Sequence, residues 1–326
     1  MTDHVSLVIP GRDCARTIRQ CLGSVVPLLE QPDCLLTEII FVDDGSTDGT
    51  REIVGEFPVT LLDGVGRGAG AARNLGWRTA NHALIWFIDS DCVAEPDALA
   101  RLLPDMSDKQ VGGVGGSYGN MAADSLLGCL IHEEIVERHR AMPKRVNFLA
   151  TFNVLYRRSI LEQIGGFDER FLKGQDAELA FRVMEAGYEL RFEIDSRVKH
   201  FHPTRLWSYL RTQRQQGYWR VWLHLRHHGH SRGDSYSSLL DHVQPPLAVL
   251  AVAALPLMLV PSSYFRWIAP VLLLLLGSAS IPMTLRLLAR LREPRYLLYA
   301  VMSFVRAFWR GLGMVHGTLA YLGRRE

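Results

Sequence analysis

Short apolar runs alternate with segments of helical spacing through the first quarter of the chain. The apolar runs predict buried strands, and they lie at 5–9, 38–42, 59–62 and 83–88. The segments between them predict helices, at 15–30, 47–56 and 68–82. This alternation is typical of an α/β fold with a largely parallel sheet.

Polar clusters follow three of the four predicted strands, at the point where each strand ends. They lie at residues 10–13, 43–48 and 89–91. Ligands of open parallel sheets bind at the carboxyl ends of the strands. We therefore expect these three clusters to line one binding site.

A different pattern begins near Pro245. Residues 247–265 and 268–285 are apolar or small and carry no charge, and each is close to the roughly 20 residues that span a bilayer. The arginines after the second segment favour a transmembrane hairpin, at about 245–285, with both ends in the cytoplasm. The alternative is a buried helical pair in a soluble protein.

Residues 296–322 are also apolar, but Arg306 and Arg310 interrupt them four positions apart on one helical face. An interfacial helix fits this pattern better than a third span. An amphipathic helix docked on the rest of the protein is the alternative.

The chain of 326 residues is 48% hydrophobic and 21% charged, which excludes wholesale disorder and low-complexity classes. Its net charge of +2 conceals two unlike halves. Residues 1–196 hold 19 Lys and Arg against 30 Asp and Glu, a net charge of −11. Residues 197–326 hold 17 against 4, a net charge of +13.

Much of the positive charge lies in a tract at 197–232, which has eight Lys and Arg, six His and three Trp, and no acidic residue. Such a tract suits either nucleic acid or the headgroup region of a membrane. Its position just before the apolar hairpin favours the membrane and makes nucleic acid an unlikely partner.

The five cysteines are odd in number and none forms a CxxC pair. Cys14, Cys21, Cys34, Cys92 and Cys129 therefore indicate a reduced, cytosolic setting. The amino terminus lacks the basic and apolar regions of a signal peptide, and no cleaved leader is expected.

Asp89-Ser90-Asp91 is the first candidate for chemistry. Two carboxylates one residue apart at a strand end can bind Mg²⁺ or Mn²⁺ and leave positions open for phosphate oxygens. An ordinary solvated turn is the alternative.

The acidic turn at 43–48 can accept hydrogen bonds from a base or a ribose hydroxyl, or Ser46 or Thr47 can simply cap a helix. Glycines alternate at 64–70 before a predicted helix and could cradle phosphate. Their GxGxGxG spacing after the third strand disfavours a dinucleotide site. Arg73 either neutralises phosphate or is an exposed helical arginine, and Asp176 in isolation fits a helix-capping residue.

The order of these motifs resembles that of the family 2 glycosyltransferases over roughly residues 5–230. The matching segments are Val8-Ile9-Pro10, Val42 to Asp48, Gly70 to Gly76, Phe87 to Asp91, Gly166 to Glu169 and Gln175 to Arg182. The resemblance implies a GT-A-type, Rossmann-like nucleotide-sugar-binding domain at 1–235. A membrane-associated helical region would follow at 236–326.

The resemblance also implies roles for single residues. Asp176 would be the catalytic base, and Asp89, Asp91 and His200 would hold the divalent metal. The nucleotide sugar would contact Pro10, Arg12, Val42, Asp43, Asp44, Arg73, Asn74 and Ser90. The family usually has Glu-Asp where this chain has Gln175-Asp176. No Gln-x-x-Arg-Trp motif is present near Gln216, which makes a processive polymerase unlikely.

The implied function is that of an inverting glycosyltransferase that depends on Mg²⁺ or Mn²⁺. Its donor would be a nucleotide sugar, and its acceptor a membrane lipid, a lipid-linked molecule or a cell-envelope glycan. It would act at the plasma (inner) membrane with the catalytic domain in the cytoplasm. The alternatives are a nucleotidyltransferase of similar fold, or a membrane-bound nucleotide-sugar-binding protein that has lost catalysis.

Overall fold

The computed structural model describes residues 4–31, 35–226, 234–260 and 264–323. Cys34 and the end of the basic tract, at 227–232, lie outside them. The chain divides into two compact units. The sheet unit comprises Met1–Met121 and His139–Phe201, and the helical unit comprises Ala122–Arg138 and His202–Glu326. The domain boundary expected near residue 235 stays a prediction.

The sheet unit is built on one mixed sheet. Its strands are β1 (Val5–Gly11), β2 (Leu36–Asp43), β3 (Thr60–Asp63), β4 (Leu84–Ile88), β5 (Cys92–Ala94), β6 (Val111–Asn120), β7 (Arg145–Val146), β8 (Asn153–Arg157) and β9 (Glu189–His200). The order is β3-β2-β1-β4-β8-β6-β9-β5, and β7 pairs with β9. The four predicted strands form the parallel half, which confirms the α/β fold class.

Apolar packing covers both faces of this sheet. Leu7 and Ile9 of β1 belong to one buried cluster, and Val8 between them belongs to another. Because successive side chains of a strand point to opposite faces, a strand buried on both sides is a continuous apolar run. This is why the strands were visible in the sequence.

The helices of the sheet unit are α1 (Ile18–Val25), α2 (Thr50–Val54), α3 (Ala69–Thr79), α4 (Ala98–Leu102), α6 (Arg158–Ile164) and α7 (Gln175–Glu185). A longer helix, α5 (Leu126–Ala141), belongs mostly to the helical unit. The helix predicted at 47–56 begins only at Thr50, so neither Ser46 nor Thr47 caps it. Both side chains instead hold the loop after β1. Ser46 Oγ accepts the Asp13 N–H at 2.9 Å, and Thr47 Oγ1 donates to Asp13 Oδ1 at 3.2 Å.

The helical unit holds the end of the chain. After the first part of α5 it contains α8 (Leu206–Arg226), α9 (Leu239–Ala253), α10 (Ile268–Ser278), α11 (Ile281–Leu291) and α12 (Leu298–Gly323). Two stretches, Leu239–Leu259 and Tyr264–Leu291, are long and apolar enough to cross a membrane. Only 22% of each apolar window is buried inside the protein, unlike the core helices of soluble domains.

A buried network of charges links the helices of this unit. Arg138 pairs with Glu134 and with Asp241 at 2.6 Å each, and Arg306 pairs with Glu134 at 2.6 Å. Burial alone would raise the pKa of Glu134, but the charges of Arg306 and Arg138 outweigh it and lower the pKa to about 2. Arg310 donates to Gln213 at 2.7 Å. Both arginines of α12 thus face other helices, while the interfacial position of α12 stays a prediction.

Glycines allow α8 and α12 to approach closely. A side chain at Gly313 would overlap the carbonyl oxygen of Arg214, and one at Gly217 would overlap that of Arg310. At Gly317, a Cβ would lie 2.6 Å from the carbonyl oxygen of Tyr218. Backbone contact through small residues is the usual way in which helices pack in membranes.

We expect Gly313→Ala to destabilise the protein by about 1–3 kcal/mol, because the new methyl group meets backbone that cannot turn aside. Gly277→Ala in α10 is the matched control, since among the described residues no atom beyond its chain neighbours and its own helix backbone lies within 4 Å of the added Cβ. Thermal unfolding of the detergent-purified proteins measures both. Equal melting temperatures for Gly313→Ala and the wild type would show that the close helix contact is incorrect.

Candidate active site

The carboxyl ends of the parallel strands gather the predicted polar residues at one edge of the sheet. In the register of β1 and β2, Pro10 faces Val42 and Gly11 faces Asp43. The Asp44 N–H donates to the carbonyl of Gly11 at 2.8 Å. The first two polar clusters are therefore joined through the backbone.

Asp44 presents an acceptor at this edge. Its Oδ2 accepts the N–H of Gly68 at 2.7 Å. Its Oδ1 is buried and has no hydrogen-bond partner among the described residues. A buried carboxylate oxygen of this kind is costly unless a ligand satisfies it, and a base N–H or a ribose hydroxyl suits it.

The predicted nucleotide-binding residues near Asp44 have surroundings unlike those of Asp44. Asp43 accepts from the Ser46 N–H at 3.2 Å and pairs with Arg51 at 3.1 Å, so its carboxylate stabilises the turn. Pro10 and Val42 are buried in the strands, whereas Arg12 is exposed and lies 3.8 Å from Asp13. The contacts of these four residues with a nucleotide remain predictions.

Arg73 is buried, which excludes the exposed-arginine alternative; its exposed fraction is 3%. Its Nη2 donates to Asp89 Oδ1 at 2.5 Å, and its guanidinium lies 5.6 Å from the centre of the Phe167 ring. Its Nε and Nη1 are buried without a partner among the described residues. These unused donors suit the oxygens of a phosphate or a sugar.

Asp91 and His200 meet because β5 pairs with β9, which sets Cys92 opposite His200. His200 Nε2 lies 3.3 Å from Asp91 Oδ2, and the two side chains are 17% and 42% exposed. Burial lowers the pKa of His200, but Asp91 outweighs that effect and raises it. An accessible carboxylate suits Mn²⁺ or Mg²⁺, whereas imidazole is more usual with ions such as Zn²⁺. Asp91 therefore fits the expected metal, and the part of His200 in binding it stays a prediction. Ser90, between the two aspartates, is partly buried.

Asp176 lies in the first turn of α7, after Gly174, whose φ of 78° is left-handed. Its Oδ1 accepts the Ala177 N–H at 2.9 Å. Burial raises the pKa of Asp176 above its usual value, and the Ala177 N–H and the charge of Arg73 only partly oppose this. A carboxylate whose pKa is raised toward neutrality is a better general base.

Gln175 stands where the family resemblance implies a glutamate. Its side chain is buried, and a Cβ at Gly70, in the first turn of α3, would lie 2.5 Å from its Oε1. That oxygen has no hydrogen-bond partner among the described residues. Gln175 thus keeps the shape of a glutamate but brings no charge to the start of α3.

Asn74 positions the loop that follows α6. Its Nδ2 donates to the Phe167 carbonyl at 2.8 Å and to Glu169 at 2.9 Å. Its Oδ1 accepts the Phe167 N–H at 2.8 Å and the Trp77 Nε1–H at 2.9 Å. These bonds use both polar atoms of the amide, so the geometry indicates a positioning role. Direct contact of Asn74 with the nucleotide remains a prediction.

Cys92 was not predicted to be a site residue from the sequence, and its sulfur lies 3.8 Å from Asp91 Oδ1. Its position directly after the second aspartate of the motif could have indicated this closeness. Cys14, Cys21, Cys92 and Cys129 are free and buried, and the reduced, cytosolic setting stays a prediction.

Comparison with known proteins defines the class to which this fold and site belong. The model of the family described as Glycosyl transferase family 2 matches residues 6–165. Glycosyltransferase AglE of Haloferax volcanii is 31% identical over 216 residues, which are 62% of this chain and 67% of AglE. The probable glycosyltransferase YdaM of Bacillus subtilis is 33% identical over 249 residues, or 71% of this chain and 55% of YdaM.

A solved structure extends the likeness to almost the whole chain. The mannosyltransferase PcManGT from Pyrobaculum calidifontis, in complex with GDP-Man and Mn²⁺, superimposes with a TM-score of 0.60 at 20% identity. The match covers 96% of this chain and 88% of PcManGT, so the fold is shared. The molecule is a glycosyltransferase of GT-A fold. More particularly, the chain belongs to glycosyltransferase family 2.

Proposed function

We propose that this protein transfers a sugar from a nucleotide-sugar donor to an acceptor hydroxyl, with inversion and with Mg²⁺ or Mn²⁺ bound. The observation that carries the proposal is that the unpartnered donors of Arg73, the Asp91–His200 pair and the Asp176 carboxylate occur together at one sheet edge. The charges of Arg73 and Asp89 both act on Asp176, and that of Asp89 also acts on His200.

Each residue has a chemical task in this reaction. Asp44 would orient the base or ribose, and Arg73 would orient the diphosphate and sugar. Asp89, which was expected to hold the metal, pairs with Arg73 at 2.5 Å, and its contact with the metal stays a prediction. The metal ion, held by Asp91 and His200, would supply Lewis acidity to the leaving diphosphate. Asp176 would accept the proton of the attacking hydroxyl as the new glycosidic bond forms.

A single displacement of this kind inverts the anomeric carbon. The acceptor oxygen bonds to that carbon while the bond to the donor phosphate breaks, and the nucleoside diphosphate leaves. Positioning and charge stabilisation would provide most of the acceleration.

The test is incubation of the purified chain with labelled nucleotide sugars, Mn²⁺ and membrane lipid extract. Transfer predicts a labelled product and a nucleoside diphosphate. A nucleotidyltransferase would release pyrophosphate from a nucleoside triphosphate instead. Donor binding without turnover across all acceptors would favour the inactive binding protein.

We also propose that the helical unit holds the protein at the plasma membrane. Trp207, Arg211 and Arg214 lie on the exposed face of α8, Arg205 is exposed just before it, and Trp207 is 63% exposed. Tryptophan and arginine side by side suit the headgroup level, where arginine meets lipid phosphate. The exposed apolar candidate spans, Leu239–Leu259 and Tyr264–Leu291, would lie below that level in the bilayer.

An apolar groove in the helical unit supports a lipid-linked acceptor. Its volume is about 320 Å³, and it lies between α9 and α12. It is lined by Ala248, Val249, Val252, Phe308, Trp309, Leu312 and Val315. Such a lining suits a hydrocarbon chain, so the labelled product of the transfer assay should partition into organic solvent.

Membrane insertion predicts that the full chain stays with the membrane pellet after an alkaline carbonate wash. Proteins held only by charge are released by that wash, because they bury no apolar segment in the bilayer. The fraction retained is measured by immunoblotting. Complete release into the supernatant would contradict the hairpin and leave only a surface association.

A further inference from the structure

Cys92 brings a third kind of ligand to the expected metal site. Its thiol is fully buried and lies 3.8 Å from Asp91 Oδ1, on the core side of that carboxylate. One ligand atom each of Asp91, Cys92 and His200 lies within 4.8 Å of the other two. Among the residues that the structure describes, this is the one such group of three.

The donor set is unusual for the metals assigned above. Mg²⁺ and Mn²⁺ prefer oxygen ligands, whereas Zn²⁺ and similar ions bind sulfur, imidazole nitrogen and carboxylate oxygen together. We propose that Asp91, Cys92 and His200 form a binding site for a thiophilic divalent cation of the Zn²⁺ class. This ion would compete with Mg²⁺ or Mn²⁺ and displace either of them from the metal site that serves the nucleotide-sugar donor.

The geometry permits both kinds of occupancy. Asp91 and His200 are accessible enough to receive an ion from solvent, at 42% and 17% exposure. A hard cation would use those two residues and leave the thiol protonated in the core. A soft cation would move inward to Cys92, and a tetrahedral ion with three protein ligands keeps one open position.

The binding step balances without any oxidant. A bond forms between the cation and the Cys92 sulfur as the S–H bond breaks, and the proton goes to the solvent. The cation keeps its charge of +2. Soft-metal binding at this site therefore releases a proton, whereas Mn²⁺ binding leaves the thiol intact.

The test uses Cd²⁺ as the probe and the full chain without donor. Cd²⁺ bound to a thiolate gives a charge-transfer absorption in the ultraviolet, and we expect it to saturate at one ion per chain. Cys92→Ser should remove this band and weaken Cd²⁺ binding by about tenfold or more, with Mn²⁺ binding unchanged. Cys129→Ser is the matched control, a buried free thiol outside the group, and should keep both.

Three outcomes would overturn the proposal: no band in the wild type, a band that persists in Cys92→Ser, or equal losses in both serine variants. If Cys92→Ser also loses Mn²⁺ binding, the substitution has damaged the fold. Cd²⁺ binding by His200→Gln then tests the site instead. That variant keeps the thiol, and unchanged Cd²⁺ affinity in it would refute the site. The proposal rests on the proposed metal site. Because Cd²⁺ binding is measured without a sugar donor, a failure of this proposal can be told apart from a failure of sugar transfer.

Discussion

Asp176→Asn should lower donor-dependent sugar transfer by about 10²–10⁴-fold, the usual contribution of a general base. The amide has nearly the shape of the carboxylate but cannot accept the acceptor's proton. Among the described residues Asp176 accepts only the Ala177 N–H, although the charge of Arg73 acts on it, so donor affinity should change far less than the rate. Initial rates and equilibrium binding of the donor separate these two effects.

The pH profile gives an independent check of this role. The base must be deprotonated, and burial raises the pKa of Asp176. Transfer by the wild type should therefore fall as the pH drops through a value above the usual range for aspartate, and Asp176→Asn should lack this limb. Asp195→Asn, at an exposed carboxylate paired with Arg197, is the control and should behave as the wild type. Near-normal transfer by Asp176→Asn would remove the residue from the mechanism.

Asp91→Ala should abolish metal-dependent transfer, because it removes the carboxylate that meets His200. We expect Mn²⁺ affinity to fall by about tenfold or more, and excess Mn²⁺ to restore part of the rate. Titration of Mn²⁺, followed by the electron paramagnetic resonance of the free ion, measures the affinity directly.

The control for Asp91→Ala is Asp97→Asn, an exposed carboxylate in an ion pair with Arg101. It changes the charge of the sheet unit by the same amount, away from the site. If Asp91→Ala bound Mn²⁺ as tightly as this control, the metal would lie elsewhere. Normal Mn²⁺ binding with no transfer would instead point to a role for Asp91 in orienting the donor.

The sequence was most informative where a physical pattern is local. The strands of the parallel half appear as apolar runs because both sheet faces are covered, and the polar residues that follow them share one edge for topological reasons. Asp44, Asp89 and Asp91 were found in this way, whereas Arg73 was found in the predicted helix that follows the alternating glycines. The family resemblance then supplied roles that residue types alone do not give.

Features that depend on distant pairing were out of reach of local patterns, and only the family resemblance placed Asp91 and His200 at one metal site. The contact between Asp91 and His200 requires the antiparallel pairing of β5 and β9, which no local pattern announces. The positioning role of Asn74 depends on a loop 93 residues further along the chain. The late start of α2 likewise follows from Asp13, which engages Ser46 and Thr47.

The buried charge network also has a consequence for how the chain is made. Glu134, Arg138 and Asp241 are synthesised well before Arg306, which lies 172 residues after Glu134. Until α12 emerges, two carboxylates share a single arginine, and unbalanced charge is costly to bury. The helical unit therefore completes its assembly only when its last helix leaves the ribosome. A chain that stops before α12 would present these groups to quality-control proteases.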